Sequence, residues 1–269
     1  MVIPFKLKTP DQIATAIANG ISLSGQDFYQ FRFAGLDLSR AVLSQAILVR
    51  ADLAGVALIK ADLSQADLRG ADLSQAGLAG ANLQGACLYR ANLRGADLSE
   101  ADLTGAQLQG ACYDSQTIFP QDFPYKASGA IGPGANLNGA ALNTANLRYA
   151  DLQGANLLGA YLGGADLTGA NLQRARLSQA DLRSASLTGA SLRNARLQGS
   201  NLMGADLRAV DFTGAEFEQL ESIAGADFTL AQGLTQEQRS LLLSFPSQDL
   251  DLPHSLTRNT PRDSLIAMT

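Results

Sequence analysis

The chain has 269 residues, with 46% hydrophobic and 6% aromatic side chains and no Trp, so it can bury a sizeable core and that core is aliphatic. Twenty Lys and Arg against 25 Asp and Glu give a formal net charge of -5, without the basic excess of a general nucleic-acid binder. Two cysteines, Cys87 and Cys112, and one histidine, His254, exclude a disulfide framework and a Cys/His metal cluster.

Residues 1–21 read as an N-terminal cap. The opening MVIPFKLKTPDQ has two Lys but no apolar region of the secretory kind, and no apolar run in the chain approaches the roughly 18 residues a membrane span needs. The expectation is a cytoplasmic protein with reduced thiols and no membrane contact. TPDQIATAIANG, residues 9–20, predicts a short helix with Thr9 as N-cap, Pro10 at the first helical position and Gly20 past the end. Residues 22–113 then place a large apolar residue at every fifth position, from Leu23, Phe28 and Phe33 through Leu38, Leu63, Leu68, Leu73, Leu83, Leu93 and Leu103 to Tyr113. An interrupting loop follows at 114–134, with Phe119, Phe123 and Tyr125 among three Pro and three Gly. The ladder resumes over 135–230 through Leu147, Leu167, Leu187 and Leu207, slips by one residue after Phe217, and ends on Phe228. Within residues 231–244, TQEQRSLLLS has Thr235 and Gln238 at capping-box spacing and predicts a capping helix whose Leu241, Leu242 and Leu243 lie against the last coil. Residues 245–269, with Pro246, Pro253 and Pro261, read as a disordered tail that leaves His254 in solvent.

A period of five fits neither regular element. On an α-helix five residues turn about 500°, so successive leucines would spiral around the axis. On a strand an odd period sends each leucine to the opposite face. Glycine at the fifth place, as in Gly70, Gly85, Gly95 and Gly105, also disfavours a helix. A chain that turns a corner once per repeat satisfies the pattern: Ala and Leu, two places apart, point to one side, and Gly, Ser, Gln, Thr or Arg make the corner. The product is a coil with small and large apolar residues inside and polar residues outside. Coils stack about 4.8 Å apart through strand-like hydrogen bonds.

The recurring A(D/N)LXX, written ADLSQ, ADLRG, ANLQG, ANLRG, ADLTG and ANLLG, resembles the pentapeptide-repeat protein family, most of all its cyanobacterial members. The resemblance covers residues 22–230. It implies an all-β solenoid, a right-handed quadrilateral β-helix with four pentapeptides per coil, hence about nine coils, with short N- and C-terminal capping helices. In that family the residue before the central one points outward, which puts Cys87 and Cys112 on adjacent faces with no bridge between them. Asp52, Asp62, Asp67, Asp72, Asp97 and Asp102 hold the same place. They interchange with Asn, which a metal site needing charge would not tolerate, so they are expected to bond turn backbone and to bind no metal.

No titratable groups gather as a catalytic site requires, so no enzyme activity, catalytic residue or cofactor is expected. Two surface strips stand out. Arg176 and Arg196 are twenty residues apart and stack on one face if four repeats make a coil, and Arg50, Tyr89 and Arg90 share a face with Ile47, Val49 and Cys87. Mixed basic, apolar and aromatic strips suit protein recognition, although solvated surface is the simpler reading of such charges. Phe119, Phe123 and Tyr125 have two compatible readings: a bulge whose aromatics pack back onto the stack, and a partner-binding loop on a rigid scaffold. The function expected is a non-catalytic scaffold for an unknown protein partner, with a candidate homodimer contact through the C-terminal cap and no direct nucleic-acid binding. The alternative is the DNA mimicry by which some family members modulate type II topoisomerases such as gyrase. Mimicry needs a continuous acidic surface, and the Arg-rich stretch around 172–198 breaks it.

Overall fold

The computed structural model describes residues 9–267, so residues 1–8 of the expected N-terminal cap lie outside those described. The chain divides into two compact units, Met1–Ile131 and Gly132–Thr269. Each is a stack of pentapeptides joined by single parallel bridges, and no described segment holds a strand longer than one bridging residue. The reason is local. With a corner every five residues, each side of a coil is too short for a continuous ladder, so each pentapeptide lends one residue to its neighbour above and below.

Within the first unit, bridged partners such as Asp62↔Asn82, Asp67↔Cys87 and Asp72↔Asn92 lie twenty residues apart, so four pentapeptides separate each residue from the one it stacks on. Two backbone hydrogen bonds make each bridge: Leu68 N–H donates to the Cys87 carbonyl at 2.8 Å, and Cys87 N–H donates to the Ala66 carbonyl at 2.9 Å. At the corner, Ala71 N–H donates back to the Leu68 carbonyl at 3.0 Å, closing a β-turn whose third residue, Gly70, has φ +64°. Non-glycine residues take the same conformation elsewhere, among them Arg50 at φ 55° and Arg90 at φ 57°. A left-handed residue of this kind costs roughly 1–2 kcal/mol, which the repeated ladder bonds on both sides offset.

The apolar ladder fills the interior. Leu38, Leu63, Leu68, Leu73, Leu83, Leu93, Leu103, Leu147, Leu167, Leu187 and Leu207 are all buried, the most exposed being Leu103 at 4%. The alanines two places before them are buried beside them, from Ala61 and Ala66 to Ala205, except Ala145, which is half-buried. Each buried leucine contributes about 1.5–3 kcal/mol relative to an exposed one. Asp and Asn face outward and satisfy turn backbone: Asp62 accepts from Ser64 N–H at 3.1 Å, and Asp72 accepts from Ser74 N–H at 2.9 Å. Asn92 then donates to Asp72 in the coil before it, at 3.0 Å. Asp–Asn alternation is thus a hydrogen-bonded column in which the amide supplies the donor that a second carboxylate lacks.

In the first unit α1, Pro10–Ala18, buries Ile13 and Ala16, and its Thr9 and Gln12 exchange side-chain and backbone bonds in a capping box. In the stretch 114–134 the aromatic side chains pack against one another and on Tyr113, as the bulge reading expects. Ile118 bridges Asp97 and Ile131 bridges Cys112, so two sides of a coil continue through it. Only the chain between them leaves the pattern, with a single 3-10 turn at Tyr125–Ala127. Tyr113 turns inward, 3% exposed, and meets Phe119 and Tyr125 edge-on at centroid separations of 5.4 and 5.5 Å. Phe119 stacks on Tyr125 at 4.5 Å. Four aromatic rings thereby cover apolar surface where two pentapeptide sides are missing.

In the second unit the one-residue slip is absorbed between Phe217 and Ile223, after which bridges span twenty-one residues, as in Asp206↔Asp227. Helix α2, Gln236–Leu242, has the Thr235/Gln238 capping box, and of the three leucines only Leu242 is buried, while Leu241 is 41% exposed. Consecutive helical side chains point about 100° apart, so three consecutive leucines cannot all point inward.

Residues 245–267 are not a mobile tail. They form α3, Ser247–Leu250, and α4, Pro261–Ile266, which bury Leu250 and Leu265. His254 is 2% exposed rather than solvated. The anchor is Asp227, fully buried in the last pentapeptide. One of its oxygens accepts from Thr229 N–H at 2.9 Å and Thr229 Oγ1 at 2.5 Å; the other accepts from Thr257 Oγ1 at 2.5 Å and Asn259 Nδ2 at 3.2 Å. His254 Nδ1 accepts from Thr257 N–H at 3.2 Å, and Ser264 Oγ accepts from Phe228 N–H at 3.1 Å. A helix start was legible in the letters, since Thr260-Pro261-x-Asp263 repeats the grammar of Thr9-Pro10-x-Gln12, and Thr260 caps Asp263 N–H.

Candidate interaction faces

Because the interior is closed by Ala and Leu, every variable side chain stands on an outward column. On the second unit Arg176 and Arg196 are a bridged pair, both exposed. Arg196 reaches Glu216 at 3.4 Å, while Arg176 makes no ion pair among the described residues. Other arginines nearby are tied to carboxylates. Arg183 pairs with Asp181 at 2.7 Å, Arg193 with Asp211 at 3.0 Å, and Arg208 with Asp206 at 2.7 Å. The two solvent-facing pairs, Arg183–Asp181 and Arg193–Asp211, contribute little stability, typically below about 1 kcal/mol each, whereas Asp206 in the third is buried.

On the first unit one corner carries Val49–Arg50, Arg69–Gly70 and Tyr89–Arg90 in successive coils, around an open notch of about 320 Å³. Arg90 lies over the Tyr89 ring at 5.0 Å. Arg69 grips Asp67 through Nε at 2.8 Å and Nη2 at 2.6 Å, and that bond holds the Asp67 carboxyl below its usual range. Ile47, 41% exposed, flanks the same strip. Val49, Arg69 and Gly70 thus join Arg50, Tyr89 and Arg90 in one place; the sequence hides Arg69 and Gly70 because a hole is recognised only when the coil register is known.

Phe119, Phe123 and Tyr125 are brought together, but they stack on one another and on Tyr113, each half-buried. Cys87 and Cys112 are free thiols on different columns, and burial pushes the Cys112 thiol up. Among the described residues no group of three or more His, Cys, Asp or Glu could hold a metal ion, and no helix is long and apolar enough to cross a membrane.

Comparison with known proteins accounts for the repeat. The family described as pentapeptide repeats matches in eight copies, over residues 37–75, 76–112, 134–164, 145–183 and 185–219. Among solved structures, HetL, a pentapeptide repeat protein involved in heterocyst differentiation regulation in the cyanobacterium Nostoc sp. strain PCC 7120, is 32% identical, covering 85% of this chain and 97% of HetL, with TM-score 0.32. A second Nostoc PCC 7120 pentapeptide repeat protein, alr5209, is 33% identical over 46% of this chain and 93% of its own, with TM-score 0.29. Full-length QnrB1, a plasmid-mediated fluoroquinolone resistance protein, is 22% identical over 73% of this chain and 95% of its own, with TM-score 0.26. The search of curated proteins returned no match. With the repeat profile matching more than half of its length, this chain belongs to the pentapeptide repeat family.

Proposed function

We propose that the chain is a non-catalytic pentapeptide-repeat scaffold that mediates protein–protein interaction, built as a right-handed quadrilateral β-helix of about nine coils. One observation carries this reading: the interior is filled by the Ala/Leu ladder, so chemical variety is confined to outward columns. The histidine, which would be the natural general base, is consumed in a buried structural network with Thr257. Arg176 and Arg196 on one unit, and Arg50, Tyr89 and Arg90 on the other, supply the mixture of guanidinium and apolar surface that protein interfaces favour. Phe119, Phe123 and Tyr125 act through the shape of the surface they fill rather than as free anchors. The free thiols favour a cytoplasmic setting. A polyanion mimic is disfavoured by the Arg176–Arg196 stack, which would repel a groove built for phosphates.

Affinity capture from host lysate, read by mass spectrometry, tests this. Wild type is compared with R176E/R196E, R50E/R90E and F123A, each first shown to melt like wild type. A partner held by wild type and lost by one variant assigns the face. Wild type capturing nothing overturns the scaffold reading, and equal capture by all three variants overturns the proposed faces.

A further inference from the structure

The corner that contains Arg50 and Arg90 has an irregularity at its centre. In successive coils the positive-φ place is held by Gln30, Arg50, Gly70, Arg90 and Gly110. Arg50 and Arg90 therefore stand one coil on either side of a residue with no side chain. A Cβ built on Gly70 would have only Arg50 Cγ within 4 Å, at 3.6 Å, so the place is vacant rather than tightly packed. Stacked coils put the two arginine backbones about 10 Å apart. The Arg50 stem leans over Gly70, while the Arg90 stem leans over Gly110, with Cγ 3.2 Å from where a Cβ there would lie, so Arg90 meets a group at Gly70 by turning its exposed arm back across Tyr89.

Charge accounting distinguishes these arginines from the rest. Arg69 is neutralised by its two-pronged bond to Asp67. Arg50 and Arg90 make no ion pair among the described residues, and the Arg90 guanidinium lies over the Tyr89 ring, which lines the notch. Val49, half-buried, and Tyr89, 40% exposed, form an apolar floor beside the charge.

We propose that this notch binds a carboxylate side chain of an acidic peptide segment in a protein partner, with the carboxylate between Arg50 and Arg90 and a neighbouring apolar residue against Val49 and Tyr89. The proposal rests on the scaffold reading and names the chemistry of its partner. Planar guanidinium groups suit a carboxylate because two parallel N–H···O bonds form at once. An extended polyanion suits the site poorly. The columns on either side carry Asp67 in one direction and Asp52 and Asp72 in the other, so phosphates beyond the notch would meet carboxylates.

The test uses the full chain and a fluorescein-labelled octapeptide in which two Glu are flanked by Leu, followed by anisotropy, beside the same peptide with Gln for Glu. The Glu probe is expected to bind at least about tenfold more tightly than the Gln probe. R50E/R90E is expected to abolish that binding. G70Q fills the notch with the residue that Gln30 shows the corner accepts; the left-handed side chain lowers its melting midpoint somewhat, and at a temperature where the variant stays folded it is expected to weaken binding at least about fivefold. Equal binding of the two probes, binding unaffected by R50E/R90E, or no binding of the Glu probe up to about 1 mM overturns the proposal. Duplex DNA displacing the probe more effectively than the unlabelled peptide overturns it too, in favour of a polyanion surface. Loss of the carboxylate site with lysate capture intact leaves the scaffold standing, so the two failures are told apart.

Discussion

Replacing Asp227 by Asn keeps the size of the side chain and removes one acceptor oxygen. If the amide oxygen stays with Thr229, the amide nitrogen faces Thr257 Oγ1 and Asn259 Nδ2, both of which donate to the carboxylate in the native protein. Two charge-assisted bonds, each worth roughly 1.5–3 kcal/mol, are then exchanged for contacts between donors. Threonine can turn its hydroxyl and recover part of the loss, so the cost settles near about 3 kcal/mol. That cost falls on the segment 254–267, which these bonds tie to the last coil, so the cap should open locally before the stack unfolds. Hydrogen exchange of amides in 257–266 reads this directly: about 3 kcal/mol corresponds to protection lowered about a hundredfold in D227N, with amides of the first unit unchanged. Protection in 257–266 that falls by less than about threefold would refute the claim that Asp227 holds the cap.

Other expectations follow from the same structure. Burial alone would push the Asp227 carboxyl up, but hydrogen bonds from Thr229, Thr257 and Asn259 outweigh it and hold the group below its usual range. A depressed carboxyl stabilises above its unfolded pKa and loses that stabilisation as pH falls through the folded one, so wild-type cap protection should fall below about pH 4, with a shallower fall in D227N. Ser200 stands where the repeat has alanine, is fully buried, and its hydroxyl lacks a partner. S200A should therefore raise stability by about 1 kcal/mol, seen as a higher melting midpoint; a lower midpoint would show that the hydroxyl is satisfied. Gly233 at φ +77° has the Thr213 backbone nitrogen where a Cβ would lie, so G233A should lower the melting midpoint, and an unchanged one would contradict that packing. F119A removes the ring between Tyr113, Phe123 and Tyr125 and should lower the stability read by urea unfolding, by less than the roughly 3–5 kcal/mol of a fully buried Phe because the ring is half-buried.

The period of five determined the coil, its inward Ala and Leu and its outward Asp and Asn, and the Thr9-Pro10-x-Gln12 cap determined the helix at Pro10–Ala18, because each rests on contacts repeated locally or on a cap a few residues long. The same local signals failed where partners are distant. His254 and Pro261 read as tail because nothing near them is apolar enough to fold alone; they are ordered by Asp227, thirty residues or so upstream. That Phe119, Phe123 and Tyr125 pack back was legible from their apolar character, but that Ile118 and Ile131 continue two sides of a coil through the same stretch cannot be seen in one dimension. The vacancy at Gly70 is likewise invisible as one glycine among 26. It becomes a notch only when the coil register sets Arg50 and Arg90 on either side, and register is a property of stacked backbone, not of any single repeat.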